Sequence, residues 1–138
     1  MVARRRGSGP TVSRLVTAVS ASADTDGLRL SADNVPGIAS CLGVFRMAAG
    51  ETDSVAVRHA TEETMYVVAG RGELRTEFEV RPFAPGDALH LPARVWHWIA
   101  NVGTSEIVSV FSFPTPVRPE TSEIEVARLR PGGGASHG

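Results

Sequence analysis

The chain has no lysine, so every fixed positive charge comes from its 14 arginines, and a mechanism built on a Schiff-base lysine is excluded. Its single cysteine, Cys41, can form no intrachain disulfide, which fits a reducing compartment and sets the expectation of a cytoplasmic protein. Charge of either sign is not in excess: the formal net charge is -1 and the pI is near 6.4, so nothing favours nucleic acid or an anionic membrane surface as partner. No run approaches the roughly 18 consecutive apolar residues that would cross a bilayer. Basic residues do precede Leu15 to Ala23 in the manner of a signal peptide, but Arg14, Thr17 and several serines break that apolar stretch. Regular patterning is missing at both ends. Residues 1–10, with Arg4, Arg5 and Arg6 beside glycine, serine and proline, and residues 131–138, with His137, are expected to be disordered tails around one domain spanning 11–130. With 138 residues, that domain can bury a core without disulfides or a structural metal.

The most informative stretch is Val55 to Gly70. Val55 to His59 has the period of a strand, which puts Val55, Val57 and His59 on one face and Ala56 and Arg58 on the other. After a short polar break at Ala60 to Glu62, a second run places Glu63, Met65 and Val67 opposite Thr64, Tyr66 and Val68. A histidine and a carboxylate then share an interior. Burying either without a partner is costly, so the pair calls for a metal ion or a hydrogen-bond network. A third ligand candidate, His97, follows in the segment Pro85 to Asn101, where turn signals and short strands alternate.

At these residues the chain resembles the cupins, small antiparallel β-barrel proteins. The first motif of that family, commonly G-x5-H-x-H-x3or4-E-x6-G, falls on His59, Glu63 and Gly70, with Val57 where the first histidine is usual and Gly50 one residue further upstream of it than the motif has its glycine. The second, commonly G-x5-P-x-G-x2-H-x3-N, falls on Gly86, Pro92, His97 and Asn101, with Arg94 in place of a glycine. The likeness runs nearly continuously from Gly43 to Phe113. It implies an all-β, jelly-roll-like double-stranded β-helix. It also implies a homodimer, because N-terminal strands in cupins of this size often pair across a subunit interface.

Other elements follow from local pattern. Val12 to Ser22 reads as an edge strand, Asp24 to Gly27 as a turn, Leu28 to Leu30 as a short strand and Asn34 to Gly37 as another turn. Ala39 to Ala48 reads as a strand with Cys41, Gly43, Phe45 and Met47 on one face. Gly70 to Gly72 reads as a tight turn before one strand over Glu73 to Val80, and Arg81 to Asp87 as a loop. Ile107 to Phe113 is a strand, and Glu120 to Arg130 a terminal strand or helix after the prolines at 114, 116 and 119.

His59, Glu63 and His97 form a two-histidine, one-carboxylate set. Such sets serve many non-haem Fe(II) centres and can also take Zn, Mn, Ni or Co, so one divalent ion is expected, with Fe(II) favoured. The alternative is a hydrogen-bonded pair in an apolar pocket that has lost its metal. Phe45, Met47, Val57, Met65, Phe111 and Phe113 are the expected pocket wall, suited to a small, largely apolar or aromatic molecule carrying an oxygen donor. The same three ligands are the catalytic candidates. The reaction is either oxygenation or an isomerisation, cyclisation or decarboxylation, and the competing class is a binding or sensory module. His90, between two leucines, reads as a satisfied barrel histidine with a reserve role as ligand. Arg58 and Tyr66 face away from the pocket, and Trp96 and Trp98 pack on the face opposite His97. Asn101 supports the fold, and Arg94 is either solvated or an anion contact at the barrel mouth.

Overall fold

The computed structural model describes residues 16–20 and 26–129. Within them the chain forms ten strands: β1 Gly27–Leu30, β2 Cys41–Met47, β3 Val55–His59, β4 Glu63–Ala69, β5 Gly72–Thr76, β6 Val80–Phe83, β7 Ala88–Leu91, β8 His97–Ala100, β9 Ile107–Phe113 and β10 Thr121–Glu125. A single 3-10 turn, Val126–Arg128, follows the last strand. Both expected tails lie outside the described residues. So does most of the expected edge strand at Val12 to Ser22, whose described part, 16–20, is exposed and has no regular structure.

The strands make two antiparallel five-stranded sheets, in the orders β1-β2-β9-β4-β7 and β10-β3-β8-β5-β6. From β3 onward the chain changes sheet at almost every connection, the winding of a double-stranded β-helix. Alternation drives it. In β4 and β9 every second side chain is buried, so Met65 and Val67 meet Ile107, Phe111 and Phe113 in one core with Cys41, Met47, Leu74, Phe83, Leu91 and Ile99. Gly43 belongs to that design: a Cβ there would collide with the tip of the Phe111 ring, which packs over Gly43 from the paired strand β9.

Two local readings are corrected. The expected strand from Glu73 to Val80 stops at Thr76, because the Thr76 hydroxyl accepts hydrogen bonds from Phe78 N and Glu79 N, 3.0 Å each, and closes a turn. The chain returns as β6, so Arg81, Pro82 and Phe83, expected in a loop, pair with Leu74, Glu73 and Gly72. The alternation simply continues through the turn, which leaves Phe78 exposed. Glu120 to Arg130 resolves into both alternatives, a strand and then the 3-10 turn.

Asn101 is the buried polar clamp of the barrel. Its amide donates to the carbonyls of Met47, Ala48 and Ser105 at 2.9–3.1 Å, and its Oδ1 accepts from Gly103 N. One side chain thereby joins the ends of β2, β8 and β9.

Candidate metal centre

The corner between β3 and β4 sets the site. His59 ends β3 in one sheet and Glu63 opens β4 in the other, so the three-residue link between them crosses the barrel and both side chains turn inward. His97 opens β8, and its neighbours across the strands are Val57 in β3 and Thr76 in β5. All three ligand candidates are buried, and their ligand atoms lie within 4.8 Å of one another. No fourth histidine, cysteine or carboxylate joins them among the described residues.

Both imidazoles are oriented from behind. His97 Nδ1 lies 3.0 Å from the Val95 carbonyl, which can only accept, so Nδ1 carries a proton and Nε2 is the nitrogen turned to Glu63. The Thr121 hydroxyl donates to the Pro119 carbonyl at 2.9 Å and therefore accepts from His59 Nδ1 at 2.7 Å, with the same result. The two Nε2 atoms lie 3.3 Å and 3.4 Å from the same Glu63 oxygen, Oε1. Those separations exceed the 2.7–2.9 Å of a charge-assisted hydrogen bond. They are separations at which neighbouring donors can share one ion. The donor set therefore fits a divalent metal. Burial pushes the Glu63 carboxyl up, but the two imidazoles that face it outweigh burial and hold it below its ordinary value.

Thr121 was not legible in the sequence, because nothing in its local pattern ties β10 to β3 across 62 residues. Replacing it with valine removes the acceptor that holds His59. The expected result is a metal affinity lower by about 10- to 100-fold with the fold intact, while Thr121→Ser retains most of the affinity. A chelator-competition titration of the three proteins reads this directly.

The centre opens into a pocket of about 580 Å³. Phe45, Val57, Met65 and Phe111 line it as expected from the sequence. Met47 and Phe113, also expected there, do not line it: both are core residues, and Phe113 packs edge-on against the back of His59 with ring centroids 4.7 Å apart. Asp53 is a lining residue that the strand pattern did not single out. Burial raises its carboxyl above the usual aspartate range, countered by a hydrogen bond from Ile99 N at 2.9 Å and by nearby His97.

His90 is corrected outright. It pairs with Thr64 across β4 and β7, so it shares Thr64's outward face, is 56% exposed and contacts Glu62 at 2.8 Å. It is neither a core histidine nor within reach of the metal ligands. Arg58 lies on the outer surface, 4.4 Å above the Trp96 ring, while Trp98 is buried and Tyr66 exposed. Arg94 is exposed at a turn with φ 65, the conformation that a glycine takes without strain, and its N–H donates to the His59 carbonyl at 2.8 Å. Its contribution to the site is through this backbone bond.

The family model described as Cupin domain matches residues 43–113. An uncharacterized protein of Streptomyces coelicolor is 32% identical over 74 residues, which cover 53% of this chain and 70% of that protein. Among solved structures, an uncharacterized conserved protein with a double-stranded β-helix domain from Klebsiella pneumoniae is 18% identical, with a TM-score of 0.60 over 78% of this chain and 90% of that one. The oxalate decarboxylase of Lactobacillus farciminis, crystallised as a formate complex, is 17% identical with a TM-score of 0.61. That match covers 78% of this chain and 33% of the decarboxylase. At such identities these structures share a fold with the chain.

Proposed function

The chain belongs to the cupin domain family, and from that premise we propose that it is a metal-dependent enzyme acting on a small organic metabolite in the barrel pocket. One observation carries the reading: two histidines held from behind at Nδ1 turn both Nε2 atoms to within 3.4 Å of a single carboxylate oxygen. His59, Glu63 and His97 would hold the ion, with iron(II) the favoured occupant and zinc, manganese or nickel the alternatives. When bound, the ion supplies Lewis-acid polarisation or, as iron(II), activation of dioxygen. Phe45, Met65 and Phe111 bind the apolar body of the substrate and exclude water from the centre. Asp53, with its carboxyl pushed up by burial, is the group placed to hold or release a proton at the pocket wall. Oxygenation and isomerase, cyclase or decarboxylase chemistry are both compatible with that arrangement.

Val57 favours the second reading, a small-molecule-binding module, because an apolar side chain stands where the family's first histidine is usual. Metal content separates the two. Protein purified without chelator should carry close to one Fe, Zn, Mn or Ni per chain, or take one up on reconstitution. A chain that binds none under either condition is a binding module.

A cytoplasmic homodimer completes the proposal. No helix among the described residues is long and apolar enough to cross a membrane, and Cys41 is a buried free thiol. The outer face of the β1-β2-β9-β4-β7 sheet supports a dimer. It presents Leu42, Tyr66 and Val68, 38%, 52% and 51% exposed, beside the half-buried Val44, Val108 and Val110. Light scattering should give twice the chain mass of 14.6 kDa, and the double variant Tyr66→Glu, Val68→Glu should be monomeric with unchanged metal content. A wild-type monomer at micromolar concentration refutes the dimer.

A further inference from the structure

Arg118 is the arginine that the fold brings to the pocket of the metal centre. The connection between β9 and β10 that carries it is pinned on both sides: Ala32 N donates to the Pro116 carbonyl at 2.7 Å, and the Thr121 hydroxyl to that of Pro119 at 2.9 Å. Between these anchors the guanidinium lies 5.4 Å from the centroid of Phe111 and 5.7 Å from that of Phe113. Both distances are within cation–π range, so the side chain has a preferred seat. Phe111 is a wall of the pocket and Phe113 is the ring behind His59, so the seat adjoins the centre.

Among the described residues, no carboxylate pairs with Arg118. Arg46, Arg75 and Arg81, by contrast, each pair with a glutamate. Acidic groups do line the same pocket. Asp53 accepts from Ile99 N, and Glu63 is faced by the His59 and His97 imidazoles with or without an ion, while Asp26 and Glu123 are exposed, as Arg118 itself is. A guanidinium seated on aromatic faces keeps its N–H edge available, and that edge matches a carboxylate in two parallel hydrogen bonds.

From this placement we infer that the pocket selects small organic acids, with Arg118 taking the carboxylate and Phe45, Met65 and Phe111 taking an apolar body. The inference rests on the metal-pocket reading for the place of the reaction, but the carboxylate seat itself is a property of the metal-free protein. Arg118 is thus a specificity residue, whereas Arg94, the sequence's anion candidate at the barrel mouth, does not line the pocket.

The test compares three acids, benzoate, phenylacetate and trans-cinnamate, with their three amides, by ligand-observed NMR titration of chelator-treated protein. The apo wild type should bind at least one acid about tenfold more tightly than its amide, the size expected of a hydrogen-bonded charge pair. Arg118→Gln should lose that preference while binding the amide as before, which shows the pocket to be intact. Arg118→Lys should keep part of it. Equal affinity for acid and amide, an undiminished preference in Arg118→Gln, or no binding of any acid overturns the inference. Metal content is read separately: a preserved acid preference in a protein that takes up no metal sinks the enzyme reading and leaves the carboxylate seat standing. Normal metal uptake without acid preference does the reverse.

Discussion

Replacing His97 with alanine is expected to cost the protein its metal. A two-histidine, one-carboxylate centre has no spare protein ligand, and no further histidine, cysteine or carboxylate lies within reach among the described residues. Even a partner that only orients a ligand is worth about 10- to 100-fold in metal affinity, so loss of a direct ligand should exceed about 100-fold. Metal analysis of protein purified without chelator gives the first readout, near one ion per chain for the wild type and almost none for the variant. Thermal denaturation gives the second. An ion that binds only the folded state raises Tm with its concentration, and His97→Ala should lose that dependence. The variant should still fold, since among the described residues the imidazole is held only by the Val95 carbonyl and Glu63. His90→Ala is the matching control and should keep its metal, because His90 faces solvent beside Glu62. Retention of metal by His97→Ala would remove the three-ligand centre from consideration.

The largest effect on stability should come from Asn101→Ala. The amide nitrogen serves three carbonyls and the amide oxygen one N–H, in a residue only 2% exposed. Leaving a buried polar group without its partner costs about 1–3 kcal/mol, and several are affected here. Some find other partners: the Ala48 carbonyl also accepts from Glu51 N. A net loss of about 3 kcal/mol is therefore expected, which corresponds to a fall in Tm of about 10 °C for a domain of this size. Urea denaturation of the metal-free protein measures it free of any contribution from the ion. Asn101→Asp retains the acceptor for Gly103 N but not the donor, so it should recover little. A loss below 1 kcal/mol would show that the carbonyls of Met47, Ala48 and Ser105 find other donors at no cost.

The sequence by itself determined the parts of this protein that follow from the period of a strand and the spacing of a motif. Within β3 and β4, the two-residue repeat puts His59 with Val57 and Glu63 with Met65, whatever the rest of the chain does. Resemblance to the cupin motifs added His97 and Asn101, and implied the double-stranded β-helix that the strands form. Tertiary structure decided everything that depends on which strand lies beside which. The residues around His90 do not say that it pairs with Thr64 and so faces outward. Thr121 reaches His59 because β10 returns to β3. Asp53 and Arg118 come to the pocket from outside the named strands, where no periodicity points. Met47 shares a face with Phe45, yet it is core and Phe45 is pocket wall, because parity assigns a face but not a depth along the barrel. The physical reason is the range of the forces. Alternation records which side of a strand avoids water, a local property, whereas register, depth and the orientation of a ligand's far nitrogen arise from pairings made across tens of residues.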